Sequence, residues 1–436
     1  MVQRSKLLRG LDGIGTAATF LLPLGLTHLR GIAEVCIDIL AIGLLARSGV
    51  SGTWAWARAP WFVLSLVWWG WQVACSMPVA PFGAGGWGGF LQALAAVRFL
   101  VMVAALQSWT LRDRRALVWM MGLLAACCLY IGGQILIQAL FGYNLFGVPR
   151  FHDGTLTGPY RTPRAAAPLS RLALPTLMLG CAWVGQRLAG FRAIAAMSGL
   201  AVLAIALNVL AGQRMPLALL VLGIAICAAL YRPLRPAFLV SAVLLPVLVA
   251  LSAIVSHASF VHLVVLAHQQ LTHFGQSPYG QIFTRATVMA ISNPLTGLGY
   301  DAFRHGCADP AYFHGLRLLG SVPGDDGGGR AICVQHAHNH YLEAVTNAGL
   351  PGLGLFCAMI AGWLVALWPQ PASTSSSVQA FRIGVFAAII VQEWPFASSS
   401  DFMNLPLGGW AFLLLGTGLA ATHLPQSGRV MWAWRS

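Results

Sequence analysis

Apolar stretches long enough, or nearly long enough, to cross a bilayer recur along almost all of this 436-residue chain. Such windows read as transmembrane helices, because about 20 apolar residues in helix span the hydrocarbon core. Twelve candidates fall near 12–28, 31–47, 59–77, 91–111, 116–140, 172–188, 193–213, 215–231, 237–257, 343–368, 381–396 and 405–424. Several are short for a full crossing, so tilted, broken or re-entrant segments are among the expectations. Only 9% of residues are charged and 58% are hydrophobic, where a soluble domain would carry about a quarter charged. The expected fold is therefore an all-α membrane protein of about twelve transmembrane helices, forming one integrated domain. Residues 1–257 hold spans one to nine, 258–341 form the single long polar segment, and 342–436 hold the last three spans. The basic start at Met1–Gly10 precedes an apolar run without a convincing small-residue cleavage site, so the first span is expected to be retained.

The charges between the windows set an expected topology. Arg4, Lys6, Arg9, Arg47, Arg58, Arg112, Arg114, Arg115, Arg187, Arg192, Arg232, Arg235, Arg382, Arg429 and Arg435 all land on one side if the spans alternate. Basic loops collect on the cytoplasmic side, which places both termini there. It also accounts for much of the net charge of +14 without invoking nucleic acid. Nine further arginines run against the rule. Arg150, Arg161, Arg164, Arg171, Arg214, Arg285, Arg304, Arg317 and Arg330 face outward on this reading, and an anionic substrate is the simplest reason for them. Nine of the twelve histidines lie between His257 and His340, in or beside the same outward segment. Within it, 261–274 has helical spacing of apolar residues and suits an interfacial or ordinary packed helix. Asp325–Gly329 has no core-forming residue and reads as a mobile tip. Cys307 and Cys333 lie in this segment and are disulfide candidates in an oxidising compartment, free thiols being the alternative.

Four groups of residues carry the candidate chemistry. Arg214, in AGQRMP, sits in a tight turn between two apolar runs, where its permanent charge needs an anion, water or lipid headgroups. Arg285 lies on a helix-like stretch that ends in NPLTGLGY, a break followed by a glycine turn; a salt bridge to Asp301 is the other account of it. Arg161 and Arg164, in GPYRTPR, occupy a basic Pro-rich loop whose guanidinium forks suit phosphate. The densest signal is QHAHNHYLEAVTNAGLPGLG, with His336, His338 and His340 at alternate positions ahead of an apolar span. An extended strand would turn all three rings to one side, as a metal site needs; a helix would separate them; a third reading is one catalytic base with neighbours. No carboxylate or cysteine stands beside the cluster at ligand spacing, and no metal or other cofactor is expected. Inside the apolar windows, Arg98, Glu34 and Asp38 are candidate functional residues; pairing among them that holds the bundle together is an equally good account, and Glu34 and Asp38, four apart, share one helix face.

The many-span pattern with one large late loop, together with AGQRMP, the R…NPLTGLG stretch and HAHNHYLEAVTNAGLPGLG, resembles the O-antigen ligase and O-antigen polymerase superfamily, most of all the ligases. The resemblance implies a GT-C-like glycosyltransferase architecture in the bacterial inner membrane, with the site on the periplasmic face. It implies transfer of a polysaccharide from undecaprenyl diphosphate to lipid A–core oligosaccharide, or to another lipid-linked glycan for a polymerase. The family's His-Asn maps onto His338-Asn339, and its arginines onto Arg214 and Arg285. His338 is then the expected base and Arg214, Arg285, Arg161 and Arg164 the expected diphosphate ligands, with Asn339, His336, His340 and Arg98 in support. A transporter of lipid-linked glycan is the competing class, favoured by Arg98, Glu34 and Asp38 alone.

Overall fold

The computed structural model describes residues 2–79, 82–320, 325–369 and 376–423; Arg429, Arg435 and the last residue of the final window lie outside them. Among the described residues every named element is helical. The chain runs through α1 (Val2–His28), α2 (Arg30–Ser51), α3 (Pro60–Cys75), α4 (Gly86–Ala95) and α5 (Val97–Ala105). It continues through α6 (Arg114–Phe141), α7 (Ala166–Arg187), α8 (Gly190–Leu210), α9 (Arg214–Leu230) and α10 (Arg235–Val255). The long polar segment then contributes α11 (His257–Phe260), a π-turn at Val261–Val265, α12 (Leu266–Thr272), α13 (Pro278–Ser292) and α14 (Ala302–Gly306). The chain returns to the bundle as α15 (His340–Leu367), α16 (Ser377–Gln392) and α17 (Leu407–Thr422).

Each of the twelve apolar windows falls on one of these helices or, for 91–111, on the α4–α5 pair and its extension. Six helical stretches among the described residues are long and apolar enough to cross a membrane: Gly86–Thr110, Arg114–Phe141, Ala166–Arg187, Gly190–Leu210, Arg232–Val255 and His340–Leu367. Arg214–Leu230, Ser377–Gln392 and Leu407–Thr422 are apolar but shorter. Sixteen residues of helix, the length of α16, reach only about 24 Å against a core of about 30 Å. The short helices are instead sheathed by protein: nearly every residue of α16 and α17 is buried, including Phe381, Phe386, Trp410 and Phe412. α10 shows the opposite face of the same physics, with Val243 75% and Ile254 84% exposed. Apolar side chains displayed at that density need hydrocarbon around them. The chain is an all-helical, multi-pass membrane protein.

Helix α16 packs between α7 and α9, α1 lies on α2, α2 on α5, and α15 on α3. Across the α2–α5 contact Arg98 donates to Glu34 and, at 3.1 Å, to Asp38. The three groups pair with one another across the helices, which fits bundle assembly.

The polar segment has its own small core of Ile282, Ala286, Met289, Phe303, Cys307 and Ala337. Cys307 and Cys333 are joined across it as a disulfide. The Asp325–Gly329 stretch, expected as a mobile tip, instead wraps a buried cation. Arg285 donates to the carbonyls of Cys307, Asp326 (3.1 Å) and Gly329 (3.1 Å), with its guanidinium 4.3 Å over the Phe313 ring. Gly327, Gly328 and Gly329 all take positive φ (61°, 83° and 56°), and the carbonyls of Asp326, Gly327 and Gly329 meet the guanidinium.

The NPLTGLG turn after α13 is wedged into α15. Helix α15 breaks at Gly349 (φ 68°, ψ −171°), and the groups freed by the break are taken up by the turn. Leu298 N donates to Thr346 O and Gly299 N to Asn347 O (2.9 Å each), while Leu350 N donates to Pro294 O at 2.7 Å. A Cβ on Gly349 would lie 2.4 Å from the Leu295 carbonyl, so only glycine fits this joint. Two of the motifs that looked separate in sequence are the two halves of one interlock.

Candidate active site

A cleft of 1610 Å³ opens between the polar segment and the helical bundle. Its walls come from distant parts of the chain: the α1–α2 turn, the loop before α7, the start of α9, the α11–α12 run, the 335–342 stretch and the 392–407 loop. The arginines that line it are Arg30, Arg164, Arg171 and Arg214.

His338 is positioned by backbone geometry. It adopts φ 55°, an uncommon conformation for a side-chain-bearing residue. Its carbonyl accepts from Ser399 N at 2.9 Å, and its Nδ1 lies 3.3 Å from Ser399 O. A carbonyl can only accept, so Nδ1 carries the proton and Nε2 is the basic nitrogen. The ring stands edge-to-face with Tyr279 (5.6 Å) and with His336 (4.3 Å). Burial holds the pKa of His338 below its ordinary value of 6.5, with the Ser399 carbonyl opposing. For His336, burial and then the neighbouring His338 push the pKa down to about 4. Both rings are therefore neutral near pH 7, as a proton acceptor must be.

Asn339 fixes the point where the segment rejoins the bundle. Its Oδ1 caps α15 by accepting from Tyr341 N and Leu342 N (3.0 Å each), while Nδ2 donates to Pro395 O (2.7 Å) and Ala397 O (3.1 Å). One side chain thus starts the helix and clamps the 393–406 loop against it.

His340 turns away from the cleft. It is 4% exposed, pairs through Nδ1 with Glu393 (2.8 Å) and packs on Phe402. The reversal at His338 and the helix start at His340 end the extended geometry that would have gathered three rings. Among the described residues no group of three His, Cys, Asp or Glu side chains is placed to hold a metal.

The expected diphosphate arginines separate into two sets. Arg214 opens α9 and lines the cleft half-buried; Arg164 lines it more exposed. A hydrogen bond from Gln213 Nε2 to Pro163 O ties their neighbours together, so the GPYRTPR loop and the AGQRMP turn form one wall. Neither guanidinium has an ion-pair or hydrogen-bond partner among the described residues. Arg161 is exposed on the same loop but does not line the cleft. Arg285 corrects the expectation for it: fully buried and committed to backbone carbonyls, it builds the polar segment and cannot reach a ligand in the cleft. Nor does it pair with Asp301, which meets Arg304 at 3.4 Å. Arg98 also lies outside the cleft lining, in its pairing with Glu34 and Asp38.

Two contributors were not singled out from sequence. Arg171, 4% exposed at the start of α7, gives Nε to Gln392 (2.9 Å) and Nη1 to Ala167 O and Ser170, with no carboxylate in ion-pair range among the described residues. The 393–406 loop touches His338, Asn339 and His340 at once, through Ser399, Pro395 and Ala397, and Glu393. Its only sequence signal was a short polar run, ASSSD, between the last two apolar windows.

Residues 199–357 match the family described as O-antigen ligase. The resemblance to the O-antigen ligase and polymerase superfamily is borne out. The matched stretch holds Arg214, Arg285 and the HAHNH run, and ends within α15; Arg164, Arg171 and the 393–406 loop lie outside it. No curated protein matches the chain.

Proposed function

We propose that this protein is an O-antigen ligase, an enzyme that transfers polysaccharide from undecaprenyl diphosphate to lipid A–core oligosaccharide. The observation that carries this reading is one cleft in which a neutral, tautomer-fixed histidine shares walls with arginines from separate elements, Arg164 and Arg214 having no side-chain partner among the described residues. Donor and acceptor are both lipid-anchored, so a cleft between a polar segment and a membrane bundle suits them. On this reading the twelve helices span the bacterial inner membrane in a GT-C-like arrangement, with both termini cytoplasmic and the cleft periplasmic. The positive-inside count and the Cys307–Cys333 disulfide support that orientation.

The reaction is a direct displacement. The acceptor hydroxyl attacks the anomeric carbon, its proton passes to His338 Nε2, and the new C–O bond forms as the bond to the diphosphate oxygen breaks. Undecaprenyl diphosphate leaves with the electron pair, and its growing charge is met by Arg214 and Arg164, with Arg171 in the same lining. Attack opposite the leaving group inverts the anomeric centre. The activated donor supplies the energy, so the step calls for no nucleotide, metal or other cofactor. Arg285 serves by holding the polar segment in shape, and Arg161 by adding positive potential at the rim.

A polymerase of the same superfamily would use the same parts with a lipid-linked glycan as acceptor. The test is an in vitro assay offering lipid A–core and a lipid-linked glycan together to the wild type and to His338→Ala. Product on lipid A–core alone, abolished by the substitution, is the expected result; product only on the lipid-linked glycan would make the protein a polymerase. Transfer at the wild-type rate by His338→Ala would remove the proposed base. A transporter is disfavoured by the mutual pairing of Arg98, Glu34 and Asp38.

A further inference from the structure

The diphosphate arginines come from the GPYRTPR loop and the AGQRMP turn, which Gln213 ties into one wall. The α1–α2 turn and the 393–406 loop form a second wall, joined where Arg30 Nη2 donates to Asn404 Oδ1 at 3.0 Å. From Ser399, which holds His338, to Asn404, which holds Arg30, is five residues, at most about 18 Å of chain.

We propose that residues 395–406 form the platform for the acceptor glycan, with Arg30 binding an anionic substituent, a phosphate or carboxylate, carried by that glycan. This rests on His338 as the base for the acceptor hydroxyl. In an inverting displacement the acceptor enters from the face opposite the leaving diphosphate. Its glycan must therefore extend from His338 away from Arg164 and Arg214. Of the arginines lining the cleft, Arg30 alone is hydrogen-bonded to the 395–406 stretch.

The chemistry of the surface suits a sugar. Ser398 and Ser400 present half-buried hydroxyls to the cleft beside the Asn404 amide, an alternation of donors and acceptors that matches vicinal hydroxyl groups. Ser399 is only 8% exposed, and its hydroxyl has no partner among the described residues, a cost that a bound hydroxyl would relieve. At the far end the Arg30 side chain is 64% exposed. Its ion-pair partner is Glu34, whose Oε2 binds Arg98 while Oε1 stands 3.7 Å from Arg30 Nε. The outer edge of the guanidinium is left open to an anion.

The test is equilibrium binding to the full-length protein in phosphatidylcholine nanodiscs. The probes are lipid A–core oligosaccharide, its phosphatase-treated form and undecaprenyl diphosphate. Wild type is expected to prefer the phosphorylated acceptor by about tenfold, Arg30→Gln to lose that preference, and Arg30→Lys to retain part of it. Binding of undecaprenyl diphosphate should be unchanged in both, which also reports that they fold. The proposal falls if Arg30→Gln keeps the preference, if either variant weakens undecaprenyl diphosphate, or if phosphatidylglycerol displaces the acceptor in an Arg30-dependent way, which would make this a phospholipid headgroup site. Wild type that shows the phosphate preference yet transfers no glycan would sink the transferase reading and leave the anion site standing. Transfer with an acceptor KM indifferent to Arg30 would do the reverse.

Discussion

His338 differs from the histidines around it through its backbone as much as its ring. A positive φ and the Ser399 carbonyl at Nδ1 determine which nitrogen is basic, and burial lowers the pKa. The sign of the pH effect follows. Because the neutral form is favoured, the ring loses its ability to accept a proton only when the pH falls below 6.5. A plot of log kcat/KM against pH should therefore stay level through 6.5 and bend at a lower value; a bend at or above 6.5 would place the titrating group elsewhere. Removing the ring in His338→Ala should cost about 10²–10⁴-fold in kcat, the usual worth of a positioned base. Arg214→Ala should lower kcat by about 10²-fold through lost charge stabilisation on the leaving diphosphate. Arg285 calls for a different expectation. Its substitution by Ala leaves buried carbonyls without a donor, at about 1–3 kcal/mol each, so the expected readout is loss of thermal stability and of folded yield. If Arg285→Ala folded normally and only its donor KM rose, the structural role assigned to Arg285 would be wrong.

Joints between helices account for short motifs that lie outside the cleft lining. NPLTGLG and TNAGLPGLG meet at the Gly349 break, where each satisfies backbone groups that the other exposes. Gly349→Ala should lower the melting temperature measured in detergent, because its Cβ has no space beside the Leu295 carbonyl. Asn339 invites a finer separation of roles. Asn339→Asp keeps the oxygen that caps α15 but loses the amide donated to Pro395 and Ala397. Stability near that of wild type with a clear loss of kcat would show that the clamp on the 393–406 loop matters to His338; equal losses in Asn339→Asp and Asn339→Ala, with α15 intact, would leave the clamp no separate part. These elements were only partly legible in sequence. The break after α13 was visible as Asn293-Pro294 and two glycines, yet its partner was not, because nothing local says which helix will receive a turn. The 325–329 glycines looked mobile for the same reason: their order comes from Arg285, forty residues earlier.

At the scale of the whole molecule, the bundle sets a cleft between a stapled polar segment and buried short helices. Cys307 and Cys333 close a stretch of 26 residues, a constraint worth about 2–4 kcal/mol in the chain-entropy account. Cys307→Ser with Cys333→Ser, or mild reduction, should lower the stability of the polar segment, read by protease resistance in detergent, before the membrane helices are affected. Transfer activity should survive EDTA; its loss and recovery with added metal would overturn the proposed displacement. Neutralising Arg98 should weaken the α2–α5 contact and reduce activity partially, whereas complete loss in a protein that still folds would revive transport.

Hydropathy alone determined that this chain is a helical membrane protein with one polar excursion, because the cost of placing unpaired backbone and charge in hydrocarbon leaves little freedom. Motif order was enough to indicate the superfamily and to single out His338. Packing decided what those residues do. It buried Arg285 among carbonyls, turned His340 onto Glu393, and brought Arg164 beside Arg214 through one amide. It also brought an unremarked serine-rich loop into the wall of the cleft. Local sequence encodes local preference, whereas a site shared by six separated stretches of chain exists only once the helices have packed.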